Sequence, residues 1–158
     1  MGRTVVKVEG LRELGQAMRT LGREVSTKIA GAMTNAGAQV VKKDAIQRAP
    51  EHDEPHEVDG VLVQPGNLKK NIVVKKVSKN RTPLTSAHIV TVRGKKKDGY
   101  AARYGRLQEF GTVHHAPQPF LRPAFDGNRM QAVGAMKKRG EQRIMAAAKK
   151  AAKKAAKR

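Results

Sequence analysis

One apolar stripe constrains this chain more than any other feature of its sequence. Leu11, Leu14, Met18, Leu21, Val25 and Ile29 recur at three- and four-residue spacing, and Met33, Ala36, Val40 and Val41 carry the stripe on toward Ile46. That spacing gathers apolar side chains on one face of an α-helix. Gly22 interrupts the pattern, so it predicts a short helix over residues 11–21 and a longer one over 23–48. Ala49-Pro50 closes the second helix, because the residue before a proline avoids the helical region. A pair of helices with so long a stripe must bury it against other elements of the chain or against a neighbour.

The candidates for that role are short strands. Thr4-Val5-Val6-Lys7-Val8 alternates and is β-branched, and Glu9-Gly10 ends it. Residues 51–66 read as a polar loop punctuated by Pro55, Gly60, Pro65 and Gly66, in which Val61-Leu62-Val63 can pair briefly as a strand. Residues 68–77, centred on Ile72-Val73-Val74, and residues 87–92 are the main strand candidates, and an exposed connection over 78–86 makes an antiparallel pair economical. After a charged turn at Gly94–Gly99, residues 100–110 form a short helix over the sheet, which Gly111-Thr112 stops. Pro117, Pro119 and Pro123 are expected to hold the next stretch extended, as a stiff arm offering Phe120, Leu121 and Phe125. Helix-forming sequence resumes at Asp126, a suitable N-cap, and ends in the Ala/Lys repeat of residues 146–158. The expected fold is α+β: a small antiparallel sheet packed with a long N-terminal helix pair, plus a basic C-terminal helix. It divides into a domain over residues 1–130 and an Ala/Lys-rich tail over 131–158.

Composition decides how such a fold is stabilised. Of 158 residues only 3% are aromatic and none is Trp, so Val, Leu, Ile, Ala and Met must supply the core with few large anchors. A core this thin argues for further burial against copies of the same chain or other proteins. The chain has no Cys, which excludes disulfides and thiolate metal sites and suits a reducing cytosol. No apolar run has the length of a signal peptide or a membrane span, so neither secretion by that route nor membrane insertion is expected.

The formal charge of +20 points to a polyanionic or acidic partner. Residues 137–158 carry ten Lys or Arg against one acid, Glu141. Lys137, Lys138, Arg139, Arg143, Lys149, Lys150, Lys153, Lys154, Lys157 and Arg158 are therefore the candidate contacts to DNA or to an acidic protein. Phosphate neutralisation by such residues binds DNA without sequence preference and depends on salt. With no aromatics for base stacking and no Cys/His finger in the tail, sequence-specific recognition is not expected.

The opposite charge is concentrated in Glu51-His52-Asp53-Glu54-Pro55-His56-Glu57-Val58-Asp59, with five acids in nine residues. Three readings stay open for it: a solvated loop, a patch docking on the basic surface of the next subunit, or a divalent-cation site. The last lacks the glycine turn of a calcium loop and the helical His pair of a zinc hydrolase. His114-His115 has no nucleophile or orienting acid at a diagnostic spacing, and no phosphate-binding glycine motif is present. No enzyme and no cofactor is expected.

Three segments, in this order and spacing, resemble a known family. They are Val8-Glu9-Gly10-Leu11-Arg12-Glu13-Leu14, then Gly66-Asn67-Leu68-Lys69-Lys70-Asn71-Ile72, then Leu107-Gln108-Glu109-Phe110-Gly111-Thr112 followed by Pro119-Phe120-Leu121-Arg122-Pro123-Ala124-Phe125. The chain is similar over about residues 5–130 to the head–tail joining proteins of long-tailed phages, also called neck, tail-component or tail completion proteins. The resemblance implies a structural virion protein, made in the host cytoplasm, that forms a ring about the six-fold axis of the neck. Its neighbours would be head-completion or connector proteins on one side and tail terminator or tail tube proteins on the other. Phe110, Phe120, Leu121, Arg122 and Phe125 are the expected assembly residues. A nonspecific DNA-binding accessory protein is the alternative that the charge supports. A small hydrolase, which would have to work through His114, His115 or Glu109, has only isolated His residues in its favour. The acidic stretch at 51–59 and the Ala/Lys terminus depart from the family pattern.

Overall fold

A computed structural model describes residues 23–51, 53–58, 61–77, 86–94 and 100–155. The strand expected at residues 4–8, the helix expected at 11–21, and the last two cations, Lys157 and Arg158, lie outside them. The described residues form an α+β fold, as expected, organised around one long helix.

That helix, α1 (Arg23–Arg48), covers the span that its stripe predicts. Ile29, Met33 and Val41 of the apolar stripe are buried as expected, but the ridge departs from the stripe at its small residues. Positions 29, 33, 37, 41, 45 and 49 are buried, a spacing of four, so the ridge includes Gly37 and Ala45, while Ala36, Val40 and Ile46 are only half-buried. Small residues on the ridge let a second helix approach closely. Rows of residues four apart are the ridges by which helices interdigitate.

A short β-hairpin follows. β1 (His56–Val58) and β2 (Val61–Val63) pair antiparallel, with Glu57 opposite Leu62. The brief strand expected at Val61-Leu62-Val63 is present, and the acidic stretch expected as loop supplies its partner. Glu51 ties the foot of this hairpin to the next element through an ion pair with Lys69 at 2.6 Å.

The next element corrects the expected strand over 68–77. Residues Asn67–Asn71 form a helical turn, α2, opened by Gly66 at φ 73°, and the Asn71 amide donates back to the Asn67 carbonyl at 2.9 Å and its side-chain oxygen at 3.0 Å. Local side-chain hydrogen bonds of this kind compete with the extended backbone. The strand, β3 (Ile72–Lys76), begins only after that turn and pairs antiparallel with β4 (His88–Val92). Ile72 faces Val92 and Val74 faces Val90, so these four share one side of the ladder. Val90 and Val92 lean on a core of Val41, Ala45, Ala49, Leu68, Ile72, Phe120 and Ala124.

Three further helices follow among the described residues: α3 (Ala101–Phe110), α4 (Leu121–Gly127) and α5 (Arg129–Ala155). α4 overturns the stiff extended arm expected for residues 119–125. Pro123 is its third residue, within the first turn, where the missing N–H would have no intrahelical acceptor and costs the helix nothing. Helical structure therefore begins at Leu121 rather than at Asp126, which lies inside α4 and pairs with Arg129 across the break before α5.

α5 runs antiparallel to α1 and packs on it more extensively than any other element. The packing is reciprocal. A Cβ on Gly37 would lie 2.8 Å from Met136 Cγ and 3.3 Å from the Ala132 carbonyl, and one on Gly140 would lie 2.9 Å from Met33 Sδ. Each helix lays a methionine over the other's glycine, an unbranched side chain suited to such a gap. Asn128 anchors the start of the pair, donating to Asp44 at 2.8 Å and to the Ala124 carbonyl at 2.9 Å. Gly140 is buried and Ile144 half-buried, so packing on α1 continues well past residue 130.

Candidate assembly surface

The connection between α3 and α4 carries both halves of the third sequence motif, and it is built around Glu109. α3 ends at Gly111, whose N–H donates to the Leu107 carbonyl at 2.8 Å. With φ 73° and ψ −178°, Gly111 occupies a region essentially reserved for glycine, and a Cβ there would meet Pro117 N at 2.8 Å and the His115 carbonyl at 2.9 Å. The chain then folds back on itself: Thr112 N donates to the His115 carbonyl at 2.9 Å and Gln118 N to the Gln108 carbonyl at 2.7 Å.

This return delivers the first turn of α4 to the Glu109 carboxylate. One oxygen accepts from Phe120 N at 2.8 Å and Leu121 N at 2.9 Å, and the other from Arg122 N at 3.0 Å. A helix start leaves its first N–H groups without partners and favours negative charge beside it, so one carboxylate answers both demands. The Glu-Phe-Gly and Pro-Phe-Leu-Arg-Pro segments are thus one structural device, a clamp between consecutive helices. From sequence, Glu109 has a role only in the hydrolase alternative. A lone acid twelve residues before the helix that it caps leaves no local signal.

The clamp sorts the five expected assembly residues. Phe120 points inward and is fully buried, with Ala124 beside it. Phe110, Leu121, Arg122 and Phe125 instead line one open groove of about 790 Å³, floored by β4 and walled by α1, α3, α4 and α5. Phe110 is 65% exposed and Phe125 57%, large values for aromatic rings in a chain with so few of them. Arg129 sits over the Phe125 ring, 5.6 Å from its centroid. Ile89 of the groove floor is also exposed, and Val113 stands almost wholly in solvent on the connecting loop.

The cations group elsewhere. Lys137, Lys138, Arg139, Arg143, Lys149 and Lys150 are all exposed on α5, and Lys153 and Lys154 belong to its last turns. His114 and His115 are exposed on the loop, where their backbone shapes the turn. Among the described residues no three His, Asp or Glu converge as metal ligands, and no helix is long and apolar enough to cross a membrane.

An apolar groove between capped helices and a cationic helix face are contact surfaces, the features of a structural component of an assembly. The family model described as "Bacteriophage HK97-gp10, putative tail-component" matches residues 12–111, more than half of the chain. The chain belongs to that family and is a structural tail component of a bacteriophage particle. The match takes in Glu109 and ends at Gly111, so the clamp joins the matched region to the helix that follows it. No curated protein and no solved structure matches the chain.

Proposed function

We propose that this tail component works at the joint between the DNA-filled head and the tail, as a ring of identical copies about the six-fold axis of the neck. It acts by contact and carries out no chemistry, touching head-completion or connector proteins on one side and tail terminator or tail tube proteins on the other. The observation that supports this reading is the groove face, where Phe110, Leu121, Arg122 and Phe125 come together in a chain with only three Phe and no Trp. Exposed apolar surface of this kind is a liability unless a partner covers it. Particles assembled without the chain are expected to give filled heads and free tails, seen by electron microscopy. Joined, infectious particles from such a deletion would refute the reading.

The exposed cations of α5 support a second interaction, with packaged DNA or an acidic neighbour. After Ile144 only Ala147 among the described side chains is even half-buried, so the separable appendage starts near Met145, inside the tail expected at 131–158. Ending the chain at Met145 removes six Lys or Arg and no acid. The truncated protein is expected to keep its circular dichroism and to bind duplex DNA more weakly. Its slope of log affinity against log salt should flatten by up to about five, at roughly 0.9 per neutralised phosphate. Equal slopes for the two proteins would remove DNA as the partner and leave the acidic protein surface.

A further inference from the structure

The β1–β2 hairpin gives the body of the fold Val63, which is buried, and leaves Glu57 and Leu62 exposed. Its strands pack chiefly on each other, and Glu51 and Lys69 hold its foot. It carries Asp53, Glu54 and Glu57, all exposed, on a chain whose other surfaces are strongly basic. Glu57 lies directly across from Leu62, so the two share a face, and Leu62 is 63% exposed. The hairpin therefore presents an exposed apolar side chain beside the Glu57 carboxylate, with Asp53 and Glu54 exposed on the segment that leads into it.

The groove has the complementary make-up. Its floor and walls are apolar at Ile89, Phe110, Leu121 and Phe125, and Arg106 and Arg122 stand exposed in its lining. Among the described residues neither arginine has an acidic partner in its own chain, and neither Glu54 nor Glu57 has a basic one.

We propose that the groove is the socket for the acidic hairpin of a second copy of this chain, with Leu62 entering between Phe110 and Phe125 and Glu54 and Glu57 meeting Arg106 and Arg122. Hairpin and groove are different patches, so the contact is head-to-tail, the kind that closes into a ring when its rotation allows. Apolar contact supplies the buried area, and the charges fix register and exclude wrong partners. This inference rests on the ring reading and names the surfaces that make the ring.

The test is sedimentation of the full chain, wild type against Glu54→Arg/Glu57→Arg, Arg106→Glu/Arg122→Glu and an equimolar mixture of the two variants, with circular dichroism to confirm folding. The wild type is expected to associate, and each variant alone to associate about a hundredfold more weakly or worse, since like charges then face each other. The mixture should recover, because the reversed hairpin of one variant fits the reversed socket of the other. A second measurement does not depend on the charge variants folding well. The natural chain has no Cys, so Leu62→Cys chains mixed with mass-tagged Phe110→Cys chains should form a mixed disulfide in excess over either like pair. A wild-type chain that stays monomeric overturns the self-assembly reading and this contact with it. Association unaffected by the charge variants, with no preferred mixed disulfide, overturns the contact alone and leaves the ring to another surface.

Discussion

Phe120→Ala is expected to lower the stability of the folded chain by about 3–5 kcal/mol, the range for removing a fully buried phenylalanine. Phe120 has no exposed surface and, with Ile72, is the largest fully buried side chain among the described residues. It stands where α1, α2 and β3 meet, against Val41, Ala45, Leu68 and Ile72. Two of the three ridge residues in this cluster, Ala45 and Ala49, are alanines, which cannot swing in to fill the space. Against the roughly 5–15 kcal/mol of stability that a domain has in total, this loss is between about a fifth and all of it. Urea titration of the isolated chain measures the effect, with Phe125→Ala as the control. Phe125 is mostly exposed in the single chain, so its truncation should cost stability little and act instead on assembly. Similar midpoints for Phe120→Ala and wild type would show that the core is not organised around this ring.

Glu109→Ala should have the next largest effect, about 2–3 kcal/mol, because hydrogen bonds to a charged group are worth more than neutral ones and three N–H groups lose their acceptor together. The loss falls on the first turn of α4. Amide hydrogen exchange at Phe120, Leu121 and Arg122 should therefore speed up more than exchange along α1. Glu109→Gln keeps one carbonyl oxygen but not the charge or the second oxygen, and should fall between wild type and alanine. Since α4 carries Leu121, Arg122 and Phe125, loosening it should also spoil the groove. Unchanged protection of these three amides in Glu109→Ala would mean that water or the backbone bond from Gln118 to Gln108 holds α4 by itself.

The two residues differ in how far sequence reveals them. Phe120 stands out as one of three Phe in an aromatic-poor chain, although nothing in the sequence separates it from Phe125. Glu109 does not, because its partners are backbone groups that come near only after the 111–118 loop has folded.

The sequence by itself determined the elements whose cause is local: the period of α1 and its stop at Ala49-Pro50, the antiparallel pairing of β3 and β4, the end of α3 at Gly111, and the cationic face of α5. Each follows from side-chain spacing or backbone preference within a few residues. Tertiary structure decided the rest. It selected Gly37 and Gly140 for the α1–α5 packing, because close helix approach rewards the absence of side chain, and hydrophobic periodicity cannot register an absence. It made α4 a helix where three prolines suggested an extended arm, because Glu109 satisfies the N–H groups that a short isolated helix would leave exposed. It also turned Phe120 inward and Phe125 outward, five residues apart at one helix, and so separated the anchor of the core from the wall of the groove.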